Sequence, residues 1–98
     1  MHWDLVGLVT DEAGNPINGA ALRVDRDLIF TNVEGEFFVR KKKDHPVKLD
    51  VALGDFLRPG VFEVVECPRT AVPSLTNEIL VRVVLREHRS PIKENLSE

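Results

Sequence analysis

The chain has 98 residues, which fits one domain and allows roughly 60–70% of the unfolded surface to be buried. Hydrophobic residues make up 43% and charged residues 30%, a globular balance that excludes a disordered chain. A net charge of −3 lacks the basic excess of a nucleic-acid-binding domain, and the single cysteine, Cys67, excludes an intramolecular disulfide.

No stretch shows helical periodicity. Short apolar runs recur instead, separated by turn residues every 8–12 positions or so, the spacing of a β-sandwich or barrel. The first predicted strand covers about Asp4 to Thr10, and the second Ala20 to Asp25, with Ala20, Leu22 and Val24 on one face. The "DEAGNPING" segment between them turns the chain through Gly14, Pro16 and Asn18-Gly19. A third strand spans Leu28 to Thr31 and a fourth Glu36 to Lys41, joined through "NVEG", where Gly35 supplies a positive φ. The fifth, Val47 to Leu53, alternates Val47, Leu49, Val51 and Leu53 with Lys48, Asp50 and Ala52. A one-residue slip there would turn Lys48 and Asp50 into the core, so its register is firmly set. The sixth strand spans Val61 to Glu66, and "CPRTAVPS" after it reads as an irregular connection. The seventh runs from about Asn77 to Arg86, with Ile79, Val81, Val83 and Leu85 on one face. Residues 1–87 then form the sandwich and 88–98 a flexible tail or linker.

These blocks resemble the carboxypeptidase regulatory-like domain, of the transthyretin-like (prealbumin-like) group of sandwiches. Gly7, Val9, Asp11, Gly14, Pro16, Gly19, Ala20, Leu22 and Val24 fit its first motif. Thr31, Gly35 and Phe37 fit its second, with Asn32 in place of the usual Asp. Gly54 and Phe56 stand near the end of the third. The resemblance covers roughly Leu5 to Phe62 and implies a seven-stranded antiparallel, Greek-key, all-β sandwich. It also implies a non-catalytic accessory module attached to peptidases, glycoside hydrolases, surface proteins or transport receptors. Parents of that kind are exported or at the cell surface, although "MHWDLVGLVT" has neither the basic nor the apolar region of a signal peptide. No apolar run reaches the ~20 residues of a membrane-spanning helix.

Candidate chemistry is sparse, and the expectation is a chain without catalytic residues, metal or cofactor. Intradiol ring-cleaving dioxygenases resemble the first motif, but their iron needs two tyrosines and this chain has none. Hydroxyisourate hydrolases of the transthyretin group end in Tyr-Arg-Gly-Ser, which is absent. His2, His45 and His88 have no spacing that converges two imidazoles on a metal. Cys67 lacks the strongly basic setting of a reactive thiol. Asp25, Asp27, Asn32 and Glu34 offer hard oxygens at loops that would have to meet to hold calcium. "RKKKDH" (Arg40 to His45) reads as a solvated basic loop. An isopeptide cross-link needs a first-strand lysine, and that strand has none.

One pattern exceeds what a two-layer sandwich requires. Val6 and Leu8 in the first strand, and Leu80 and Val84 in the last, are apolar on the phase opposite the core, and Phe38 is likewise out of phase with Phe37 and Val39. If the first and last strands are neighbours, Val6, Leu8, Phe38, Leu80 and Val84 share an outer face. They are the candidate interface for a protein partner, a neighbouring domain or a second copy in a homo-oligomer. The alternative is a carbohydrate- or peptide-binding module that uses the loop ends.

Overall fold

The computed structural model describes residues 5–40, 46–72 and 80–88. Within them the strands are β1 (Leu5–Asp11), β2 (Ala21–Val24), β3 (Asp27–Phe30), β4 (Glu36–Val39), β5 (Val47–Val51), β6 (Val61–Glu66), β7 (Thr70–Ala71) and β8 (Leu80–His88). They form two four-stranded sheets, ordered β4-β1-β8-β6 and β3-β2-β5-β7. The chain is an all-β sandwich.

Three features depart from the sequence-based expectation. There are eight strands among the described residues, not seven, because the segment expected to be irregular contributes β7. Thr70 and Ala71 pair with Lys48 and Val47, and the Leu49 N–H donates to the Arg69 carbonyl at 2.7 Å. The sandwich is also not wholly antiparallel. β1 runs parallel to β8, from Val6↔Leu80 to Asp11↔Leu85. β1 and β8 are joined by the whole intervening chain, which visits the second sheet before returning, so the long connection that a parallel pair needs is met. Finally, Leu53 does not extend the apolar face of β5: the strand stops at Val51, and Leu53 lies in a 3-10 turn (Leu53–Asp55), 46% exposed.

The core follows the alternation. Leu5, Val9, Phe37, Val39, Val81, Val83 and Leu85 of the first sheet meet Leu22, Val24, Val47, Leu49 and Val51 of the second. Each such side chain contributes about 1.5–3 kcal/mol on full burial. Gly7 breaks the apolar run of β1 for a packing reason. It pairs with Phe37 across β1 and β4, and a Cβ added at Gly7 would run into the Phe37 ring. The buried aromatic lies where the glycine leaves room.

The turn segments are cross-tied. The Thr31 hydroxyl accepts from the Ala20 N–H at 2.9 Å and donates to the Ile17 carbonyl at 2.6 Å. That fastens the end of β3 to the corner before β2. Gly35, at φ +76°, donates its N–H to the Asn32 carbonyl and offers its own carbonyl to the Val9 N–H at 2.8 Å. A Cβ at Gly35 would come within 2.5 Å of the Val9 carbonyl oxygen. The two motifs matched in the sequence are therefore two halves of one packed corner.

Candidate functional site

The strand order brings the candidate interface onto one sheet. Val6 stands between Phe38 of β4 and Leu80 of β8 in backbone register. Leu8 stands between Glu36 and Arg82, and Thr10 pairs with Val84. Val6, Leu8, Phe38 and Val84 alternate with buried neighbours and are themselves half-buried, which places them on the outer face of the first sheet. Leu80 joins them by backbone position. Arg82, exposed, lies between Leu80 and Val84 along β8, so the face is apolar with a cation set into it.

Further along the same face lies a charged network. Arg86 of β8 grips Glu12 with two bonds, Nε to Oε1 at 2.7 Å and Nη2 to Oε2 at 2.9 Å. Its Nη1 reaches Glu63 Oε1 of β6 at 2.8 Å, and His88 Nε2 lies 2.9 Å from the same oxygen. The Arg86 hydrogen bond holds the Glu12 carboxyl below its ordinary pKa, while Glu12 and Glu63 raise that of Arg86. All these groups are near half-exposed, so the network positions strand ends and adds little stability. Asp11 beside it is also held low, first by the Asn15 side-chain amide and then by backbone N–H groups of the turn.

A cleft of about 400 Å³ opens at this loop end between Asn15, Ile17, Arg58, Phe62 and Arg86. The Arg58 guanidinium lies 5.6 Å from the centre of the Phe62 ring, and Phe62 is only 8% exposed. The ring therefore does not offer the open aromatic surface on which a sugar would stack. A second cleft, about 470 Å³, lies between Cys67, Ala71, Val72, Val81 and Arg82. Burial, and then the Asp50 charge, push the Cys67 thiol up, away from the thiolate a nucleophile needs.

The oxygen-bearing loops do not converge. Asp25 and Asp27 lie at one end of β3, and Asn32 and Glu34 beyond the other, about 13 Å of strand apart. Two of the four tie down backbone. Asp25 Oδ1 accepts from the Lys48 N–H at 2.9 Å, and Asn32 Oδ1 accepts from the N–H groups of Glu34 and Glu36. Among the described residues no three His, Cys, Asp or Glu side chains are grouped to hold a metal ion. His2, Trp3, the Lys41–His45 part of the basic run, Asn77 and the 89–98 part of the tail lie outside the described residues.

Sequence reasoning missed the most exposed apolar side chains of the strands. Leu28 and Phe30 stand out on edge strand β3, and Val61, Val64 and Val65 on edge strand β6. The signal was present in "VFEVVE", which is apolar on both phases like the first and last strands. A bulge between Val64 and Glu66 then shifts which residues face outward. No helix among the described residues is long and apolar enough to cross a membrane.

No protein-family model matches the chain, and neither a curated protein nor a solved structure matches it.

Proposed function

We propose that the chain is a non-catalytic accessory module of the carboxypeptidase regulatory-like type, which works by holding a protein partner or neighbouring domain against the outer face of its first sheet. One observation carries the reading. Strand order and register gather Val6, Leu8, Phe38 and Val84, with the backbone position of Leu80, onto three adjacent strands, and the four described side chains lie on a face the core does not use. The motif residues support the family assignment by their physical roles: Gly14, Gly19 and Gly35 all adopt positive φ, Gly7 makes room for Phe37, and Thr31 closes the corner. The alternative, a carbohydrate or peptide held at the loop ends, has weaker support because Phe62 is buried beneath Arg58 in that cleft.

A photo-crosslinking residue placed at position 8, in cells that make the protein, tests the reading against the same residue at position 50. Asp50 is exposed on the second sheet. A discrete adduct at position 8 and none at position 50 is expected. Indistinguishable trapping from the two positions sinks the proposal.

A further inference from the structure

The row of side chains across the middle of this face has an order that suits a copy of itself. Reading across β4, β1 and β8, the paired residues are Glu36, Leu8 and Arg82: an acid, an apolar residue and a base. Glu36 is half-buried on the outward phase of β4 and accepts a long 3.5 Å contact from Asn32 Nδ2. Arg82 is exposed on the outward phase of β8. The next row is Phe38, Val6 and the Leu80 position, apolar throughout.

We infer that the outer face of the first sheet docks a second copy of this chain, face to face, about a two-fold axis that runs along β1. Such an axis exchanges the two sides of β1. Leu8 then meets the partner's Leu8, Glu36 meets the partner's Arg82, and Arg82 meets the partner's Glu36. Two-fold contacts are isologous, so one favourable acid–base facing is automatically made twice. Glu36 and Arg82 each lie one strand spacing, about 4.8 Å, from the axis. Stacked sheets sit about 10 Å apart, and at their usual crossing of about 30° the axis bisects the two β1 directions and lies about 15° from each, so positions one strand to either side of it stay opposed and the Glu and Arg side chains together span the gap. A charge isolated in an apolar face weakens any docking that leaves it unpaired, and this pairing removes that penalty for both charges at once. The inference rests on the reading of this face as a contact surface and adds the partner and the register.

Three strands make a small interface beside the ~800 Å² per partner of a stable complex, so the association is expected to be weak and reversible. Sedimentation equilibrium on the full chain, from about 5 μM to about 1 mM, should show a reversible monomer–dimer equilibrium. Glu36→Arg alone, or Arg82→Glu alone, places like charges together twice and should weaken dimerisation at least tenfold. An equimolar mixture of the two single variants should form a heterodimer with both facings restored, and the Glu36→Arg/Arg82→Glu double variant should again self-associate. Recovery in the mixture also shows that each single variant is folded. A wild-type chain that stays monomeric throughout overturns the inference while leaving the crosslinking test of the contact face intact. If dimerisation is lost with Leu8→Lys but unaffected by the charge reversals, the face is a contact and the proposed register is wrong. A dimer insensitive to Leu8→Lys overturns the inference as well, since the two copies then meet elsewhere.

Discussion

The two sheets bury similar inner faces and present different outer ones. On the second sheet, Arg23 pairs in register with Asp50 on the outside, and Arg23 lies 3.8 Å from Asp55. Lys48 is exposed nearby, and the buried Val47, Leu49 and Val51 alternate with these charges. On the first sheet, Leu5, Gly7 and Val9 are buried, but the intervening Val6 and Leu8 are apolar too. A sandwich needs only one apolar face per sheet. The second sheet shows what folding alone requires of an outer face, and the excess on the first is what needs another explanation. The exposed Leu28 and Phe30 temper the contrast, but they sit on an edge strand rather than across a sheet centre.

The contrast can be broken most severely from the inside. Gly7→Val puts a branched side chain where the Phe37 ring lies, on the core face of β1. Overpacking of this kind is expected to cost about 3 kcal/mol in urea unfolding, and an unchanged midpoint would mean the ring has another place to go. Thr31→Val comes next. It keeps the shape but removes the hydroxyl that serves the Ala20 N–H and the Ile17 carbonyl in a buried site. Leaving both groups short of a partner should lower stability by about 2 kcal/mol, and Thr31→Ser should recover part of that loss.

Adjacent residues of β1 sharpen the comparison further. Val9 is fully buried and Leu8 half-buried on the opposite face. Val9→Thr, which buries a hydroxyl, is expected to cost about 2 kcal/mol. Leu8→Thr, measured on dilute monomer, should cost under about 1 kcal/mol, because the fold does not depend on that face. Equal costs would show that Leu8 serves the fold and would remove the reason to regard the outer face as a contact surface.

Much of this architecture could be read from residue order. Val47, Leu49 and Val51 alternate so cleanly that their burial followed from period two alone, and Val81, Val83 and Leu85 likewise. What failed was whatever depends on distant partners. β7 is two residues long and exists because β5 offers it an edge, a fact absent from "CPRTAVPS" itself. Leu53 fitted the alternation, yet the chain bends at Ala52 after the Ala52 N–H donates to the Ala21 carbonyl. The candidate face was legible as an excess of apolar residues on the wrong phase. Its sharpest feature was not, because the alignment of Glu36, Leu8 and Arg82 comes from pairing between segments remote in sequence.

The smallest expected effect concerns the loop end beside that face. Asp11 and Glu12 both have folded pKa values below their ordinary 3.8 and 4.5, held there by hydrogen bonds from Asn15 and from Arg86 respectively. A carboxylate whose folded pKa is depressed stabilises the fold fully at pH above its unfolded value, and that contribution disappears as pH falls through the lowered folded one. Stability should therefore decline on acidification below about pH 4.5, and the Asp11→Asn/Glu12→Gln variant should decline less steeply over the same range. Both groups are solvent-exposed, so the difference should be smaller than for any substitution above and should shrink further in high salt for Glu12, whose partner is a charge. Asp11 bonds to neutral amides, and its share should persist in salt. Parallel acid profiles for the variant and the parent would show that the turn and the Arg86 network hold equally well without their charges, leaving apolar packing to define both faces of the first sheet.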